Sequence, residues 1–291
     1  MDLGHDNSPA LCVLASGSSG NCSVLRSADG ELVLIDAGIS PRRASAALSA
    51  LGYSLEDVSA VVLTHLDSDH FYSSWATVAP KRLRFGASVW VHVSHSRERR
   101  LDPLHEAGCL ATFEREAFAP ARGTSFTSRL ASHDAEGVAT FRITTPQGEL
   151  GFLTDLGEVT DRLVDFHRGV GVLAIESNYC PRLQARSARP DFLKRRIMGG
   201  AGHLSNEQCL RATEAIGPSS HAVFLHLSRE CNTPEIVGAL HEGADYARTI
   251  AHAEEPTRWV SITGAQPEVH TSPVRPPVPM TLFGPLSGPR A

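Results

Sequence analysis

Seven residues constrain this chain more than any other feature. In Thr64-His65-Leu66-Asp67-Ser68-Asp69-His70, four potential metal ligands (His65, Asp67, Asp69 and His70) follow directly on the short apolar run Ala60 to Thr64. In an extended segment that runs into a turn, the alternate residues His65, Asp67 and Asp69 point the same way. The turn then brings in His70. Carboxylates and imidazoles at the mouth of a core carry a heavy desolvation cost unless something compensates them, and divalent cations are the natural compensation. A polar loop with chance histidines offers none. The string therefore predicts a fold in which a buried strand ends at a metal centre.

The same pattern, an apolar run ending in a polar tip, recurs along the chain. Phe126 to Ala131 leads to His133. Val138 to Thr144, the turn Pro146-Gln147-Gly148 and Leu150 to Thr154 read as a hairpin ending at Asp155. Val170 to Ile175 leads to Glu176, and Ala222 to Leu225 leads to His226. Two earlier runs, Ala10 to Ala15 and Leu32 to Ile35, lead into Ser16-Gly17-Ser18-Ser19-Gly20-Asn21 and Asp36-Ala37-Gly38. Helices are predicted from Pro41, capped by Ser40 and stopped by Gly52, and over Asp161 to His167, Asn206 to Ile216 and Pro234 to Glu242. Strands alternating with helices predict an α/β layered domain, and two similar β-rich halves are plausible. Its strand tips His133, Asp155 and His226 complete a dinuclear ligand set, since ligands on the carboxyl ends of successive strands converge on one crevice.

Composition narrows the class. No apolar run is long enough to span a membrane, and the start Met1 to Asn7 is polar and acidic, unlike a signal peptide. The six cysteines are scattered without a CxxC pair, as expected for reduced thiols in a cytoplasmic protein. The net charge of −5 argues against indiscriminate polyanion binding but leaves room for a local basic groove. Such an island exists: Arg182, Arg186, Arg189, Lys194, Arg195 and Arg196 share their stretch with one acid, Asp191. A solvated helix face is the plain alternative to a surface that tracks a phosphate backbone. Phe71, Tyr72, Tyr179 and Phe192 are the few candidates for stacking a terminal base, with core packing the expected role for most of them. The proline- and glycine-rich stretch 265–291 reads as a flexible tail beyond a domain of residues 1–264.

The HxHxDH-like string followed by a His, an Asp and a final His resembles the metallo-β-lactamase fold hydrolases, over about Leu11 to Ile262. That likeness implies a four-layer αβ/βα sandwich. Within the superfamily the chain is most similar to the YycJ (WalJ) type of exonuclease. The similarity rests on Ser16 to Asn21, Glu176-Ser177-Asn178, Lys194-Arg195-Arg196-Ile197, Gly202-His203-Leu204-Ser205-Asn206, and His226-Leu227-Ser228 with Asn232. The family usually has His where this chain has Asp67. An added carboxylate makes that site harder and moves its preference toward Mn²⁺ relative to Zn²⁺.

The resemblance implies one ion on His65, Asp67 and His133, a second on Asp69, His70 and His226, and Asp155 bridging the pair. Asp36 supports the metal loop, and a hydroxide shared by the two ions is the expected nucleophile. Glu176 and His203 are expected to deliver a proton to the leaving oxygen, with His203 as general acid oriented by Glu176. Ser205, followed by Gln208, has the pattern of a capping box. With Asn206 it also offers a helix start for a phosphate, beside Lys194, Arg195 and Arg196. The expected activity is phosphodiester cleavage, with DNA favoured over RNA as substrate. Hydrolysis of small esters, thioesters or lactams is the alternative, and a metal-stabilised binding protein without turnover is a third reading.

Overall fold

A computed structural model describes residues 8–133 and 136–262. The expected tail over 265–291 lies outside the described residues, as do the first seven residues of the polar start.

The strands are β1 (Ala10–Ala15), β2 (Cys22–Arg26), β3 (Leu32–Ile35), β4 (Val58–Val62), β5 (Ser88–His92), β6 (Leu110–Phe113), β7 (Ser125–Ala131), β8 (Val138–Thr145), β9 (Gly148–Leu153), β10 (Val172–Glu176), β11 (His221–Leu225), β12 (Ala247–Ile250) and β13 (Val260–Ser261). They form two sheets, ordered β13-β1-β2-β3-β4-β5-β6 and β12-β11-β10-β9-β8-β7. Each sheet changes from antiparallel to parallel pairing, at β3–β4 in the first and at β9–β10 in the second. The two β-rich halves anticipated from sequence are thus alike in pairing pattern.

Side-chain alternation explains the layers. Along β1, Leu11 and Val13 join one buried cluster and Cys12 and Leu14 another. The first cluster also takes Val33, Ile35, Phe141, Phe152, Val172, Ala174 and Val223, so it is the seam between the sheets. Four phenylalanines (113, 118, 126 and 141) fill its far end, with Phe113 and Phe118 stacked at 4.8 Å between centroids. The outer faces take helices. Helices α1 (Pro41–Ala50), α2 (Trp75–Arg82) and α3 (Asp102–Glu106) pack on the first sheet through Ala44, Leu48, Trp75, Ala79 and Leu104. On the second sheet, α4 (Asp161–His167), α7 (Asn206–Ile216) and α8 (Pro234–Leu240) pack through Leu163, Ala212, Ile216 and Val237. Between them in sequence, α5 (Pro181–Arg186) and α6 (Asp191–Met198) carry the basic island, anchored by a small cluster of Tyr179, Ile197 and Cys231. The four-layer sandwich implied by the sequence is the one observed.

Two local departures have physical causes. The run expected over Ala60 to Thr64 starts earlier, at Val58, and ends at Val62. Thr64 leaves the ladder because its N–H donates to Asp36 Oδ1 at 2.8 Å. Strand β10 starts at Val172 and not Val170, and it continues into Glu176 because that residue still pairs with Leu225 of β11. Among the described residues, no helix is long and apolar enough to cross a membrane.

Phe141 is fully buried at the seam, with Phe113, Phe118 and Phe126 against its ring. Phe141→Ala is expected to cost about 3–5 kcal/mol of folding stability, read as a lowered urea midpoint at unchanged slope. A loss below about 1 kcal/mol would mean that the two sheets are not held together there.

Candidate metal centre

The chain turns into the crevice at strand ends, and it does so under strain. Asp36, Asp155 and His226 are the non-glycine residues with positive φ among the described residues, at 61°, 53° and 55°. Each follows the end of a strand (β3, β9 and β11). A left-handed residue costs roughly 1–3 kcal/mol and persists only where its surroundings hold it. The surroundings here are specific. The N–H of His226 donates to Ser16 Oγ at 2.8 Å, and its carbonyl accepts from Asn178 Nδ2 at 2.8 Å. The Ser16 to Asn21 turn and the Glu176-Ser177-Asn178 segment are therefore parts of the clamp on His226.

Asp36 is buried and spends both oxygens on the metal loop. Oδ1 accepts from the Thr64 N–H and hydroxyl at 2.8 and 2.9 Å, and Oδ2 lies 2.7 Å from His70 Nδ1. This fixes the His70 tautomer and turns Nε2 toward the centre. The loop is closed from behind at Gly38, where a Cβ would stand 1.7 Å from the Asp69 carbonyl oxygen. Asn21 joins the same junction: its N–H donates to the Asp69 carbonyl at 2.7 Å, and its Nδ2 lies 3.0 Å from His70 Nε2.

Four imidazoles surround the Asp155 carboxylate. Oδ2 lies 2.9 Å from His70 Nε2, 3.5 Å from His65 Nε2 and 3.8 Å from His133 Nε2, and Oδ1 contacts His226 Nδ1. His133 Nδ1 donates to the Gly202 carbonyl at 3.1 Å, which leaves its Nε2 facing the carboxylate. Asp69 Oδ2 is 3.6 Å from His226 Nε2, and Asp67 Oδ2 is 3.9 Å from His65 Nε2. The ligand atoms fall into two groups, each within 4.8 Å of one another: His65, Asp67 and His133, and Asp69, His70, Asp155 and His226.

The electrostatics follow from burial and crowding. Burial and the neighbouring His70 push the His65 pKa well below its ordinary value, so His65 is neutral with a lone pair to offer. Burial works to raise the Asp155 pKa, but the His226 and His70 rings more than reverse it, and the carboxylate stays ionised.

Glu176, also fully buried, holds the next ring. Its Oε1 is 2.7 Å from His203 Nδ1, and its Oε2 accepts from the Leu156 and Leu204 N–H groups at 2.8 and 3.3 Å. His203 keeps 22 % of its side chain exposed. Burial alone would lower its pKa, but Glu176 outweighs it and the pKa is raised.

The profile of the beta-lactamase superfamily domain matches residues 31–227 of the chain. The chain belongs to that superfamily. Its fold and membership make it a metal-dependent hydrolase. Exodeoxyribonuclease WalJ of Streptococcus pneumoniae serotype 2 (strain D39 / NCTC 7466) is 28 % identical to it over 231 residues, covering 77 % of this chain and 83 % of that one. Exodeoxyribonuclease YycJ of Bacillus anthracis is also 28 % identical, over 232 residues, covering 77 % of this chain and 84 % of that one. Among solved structures, the metallo-beta-lactamase fold protein YhfI from Bacillus subtilis superposes with a TM-score of 0.62 at 18 % identity, covering 85 % of this chain and 99 % of that one. The short form of human tRNase Z gives 0.60 at 12 %, covering 87 % and 99 %.

Superfamily membership implies divalent ions, and the donor set suits them. His65 Nε2 and His226 Nε2 are buried without a hydrogen bond, which is costly unless a cation takes the lone pair. Imidazoles mixed with carboxylates fit borderline ions such as Zn²⁺ or Mn²⁺.

Over this superfamily centre lies a crevice of about 310 Å³ lined by Asp67, Asp69, His133, Asp155 and His203 together with Ser18, Asn178, Arg189, Arg196 and Ser228. The expected substrate contacts divide. Arg196 reaches the crevice, whereas Lys194, Arg195, Ser205 and Asn206 are not part of its lining. Lys194 Nζ donates to the Ala185 carbonyl. Ser205 completes a capping box with Gln208, and Asn206 is buried with its amide bonded to Ser177 and Asn232. Arg189 of the basic island also lines the crevice, as do Ser18, Asn178 and Ser228, to which the sequence alone assigns no substrate role. Ser18, Asn178 and Ser228 lie inside the motifs Ser16 to Asn21, Glu176-Ser177-Asn178 and His226-Leu227-Ser228, so the signal lay in the motifs themselves.

Asp36→Asn should keep the fold while losing the hold on the His70 tautomer. About a 10- to 100-fold weaker metal affinity is expected, measured by competition with a chromophoric chelator. Unchanged affinity would show that His70 is oriented by something else.

Proposed function

We propose that this chain is a dinuclear-metal phosphodiesterase that trims nucleotides from an end of DNA. The observation that carries the reading is the crevice itself, in which two histidine–carboxylate groups, the His203–Glu176 pair and two arginines face one space. In this reading His65, Asp67 and His133 would hold one ion and Asp69, His70 and His226 the other, with Asp155, which faces both groups, shared between them. Bound ions would offer Lewis-acid stabilisation and a water acidic enough to attack near neutral pH.

The chain's own groups do the rest. Arg196 makes no ion pair among the described residues and faces the crevice, a charge available to a phosphate. Arg189 is held by Glu230 at 2.9 Å and Ser228 at 3.3 Å, so it presents a fixed charge to a substrate. Ser18, Asn178 and Ser228 add hydrogen-bonding side chains on the same wall. His203 donates a proton to the leaving oxygen from Nε2, because Nδ1 is committed to Glu176, which acts as its positioning residue. The exodeoxyribonuclease relatives support DNA over RNA, and Asp67 in place of the usual His supports Mn²⁺ at least as well as Zn²⁺. The test is a nuclease assay on end-labelled single- and double-stranded DNA and RNA with each metal supplied in turn. Hydrolysis of small esters with no cleavage of any oligonucleotide would replace this reading with the small-molecule one.

Two variants separate the roles. Arg196→Ala is expected to weaken oligonucleotide binding and to lower the slope of log affinity against log salt by about one unit. Arg195→Ala, at a residue that does not line the crevice, should do neither. His203→Ala should slow cleavage of an ordinary phosphodiester by about 10²- to 10⁴-fold. It should barely slow release of nitrophenolate, which leaves without a proton. Equal losses on the two substrates would remove His203 as the acid.

A further inference from the structure

A third group of metal-binding side chains lies outside the centre described above. His95, Glu98 and Glu136 each offer a ligand atom within 4.8 Å of the others. His95 ends a short 3₁₀ turn (Val93–His95) after β5, and Glu98 precedes another (Arg99–Leu101). Glu136 comes from the connection between β7 and β8. Segments far apart in sequence therefore converge on one point, which a chance surface cluster does not require.

The histidine is what distinguishes this group from paired surface acids. His95 is only 4 % exposed, its Nδ1 faces Glu136 Oε2 at 2.7 Å, and its Nε2 is buried without a hydrogen bond. A buried imidazole that converges with two carboxylates, one of them in direct contact with its ring, is a donor set able to take a cation. Arg100, 3.3 Å from Glu98, balances part of the negative charge but sits on the exposed side.

We propose that His95, Glu98 and Glu136 form a separate divalent-cation site, with one imidazole, two carboxylates and solvent completing the shell. This donor set fits Zn²⁺ or Mn²⁺ better than Ca²⁺, which favours all-oxygen cages. Its placement gives the site a consequence. Glu136 lies three residues beyond His133, and Arg100 contacts the Leu66 carbonyl inside the metal loop. A cation here would tie the segment after β5, whose Arg100 contacts the loop of His65 and Asp67, to the connection that carries His133.

The test uses the full chain and the metal alone. Crystals soaked in Mn²⁺ should show anomalous density between His95, Glu98 and Glu136. By elemental analysis of equilibrated protein, Glu136→Gln and His95→Asn should each lose one equivalent of metal relative to wild type. Asp155→Ala, which is aimed at the main centre, should keep the ion at this site, so failure here and failure of the proposed function are told apart. If both variants fold with the wild-type metal count and the anomalous map is flat at His95, the cluster is an ion pair only and the proposal is overturned.

Discussion

Everything near the crevice depends on one buried carboxylate. Asp155 is almost wholly enclosed, and it stays ionised because four imidazoles face it. An ionised carboxylate in such a place is costly by itself. Its stability rests on rings delivered from β4, β7 and β11, so the two sheets must meet in one register for the charge to be tolerable. The fold and the centre are thus a single constraint. The seam of Phe, Leu, Ile and Val side chains sets the sheet spacing, and that spacing sets the distances from His65 and His133 to Asp155.

The strained corners show how the sequence keeps that arrangement. Asp36, Asp155 and His226 turn left-handed at the ends of parallel or central strands, where continuing the strand would carry the side chain past the crevice. Each strained residue is held by neighbours from another segment: Thr64 and His70 for Asp36, Glu176 through Leu156 for Asp155, Ser16 and Asn178 for His226. Motifs that look unrelated along the chain are therefore mutual supports. Replacing one loosens a ligand that lies in a different part of the sequence.

This is why the sequence was so readable at the centre and less so around it. Ligands at strand tips announce themselves twice, once by residue type and once by the apolar run before them. Strands β1 and β3 and helices α4 and α7 were expected at the bounds they have, because apolar periodicity and caps coincide there. Strands β5 and β6 and helices α2 and α3 carried no chemical marker and were not anticipated. Helix α2 holds an internal proline, Pro80, which obscures its pattern. For the expected substrate contacts, what the sequence does not carry is direction. A run of cations along α6 does not reveal which side chains face inward. Ile197 is buried with Tyr179, and Arg196 beside it lines the crevice whereas Arg195 does not. Asn206 was legible as conspicuous, but its burial and its bonds to Ser177 and Asn232 make it a brace behind the wall.

The two ligand groups differ in a way that bears on the Asp67 substitution. His70, His226 and Asp155 are enclosed and clamped from behind by Asp36, Ser16 and Glu176. Their geometry is fixed before any ion arrives. In the other group, His65 is equally buried, but Asp67 keeps 48 % of its side chain exposed, and His133 sits on the β7–β8 connection. A rigid pocket selects an ion by shape, whereas an open one selects by ligand type and is easily completed by water. The place where this chain departs from the commoner histidine is thus the adjustable half, where the exchanged side chain is half exposed and its contact with buried His65 is a long one, 3.9 Å. The same change at His70 would set a second carboxylate against buried Asp36. Physical tolerance and sequence departure fall at the same residue, and the enclosed half carries no such departure.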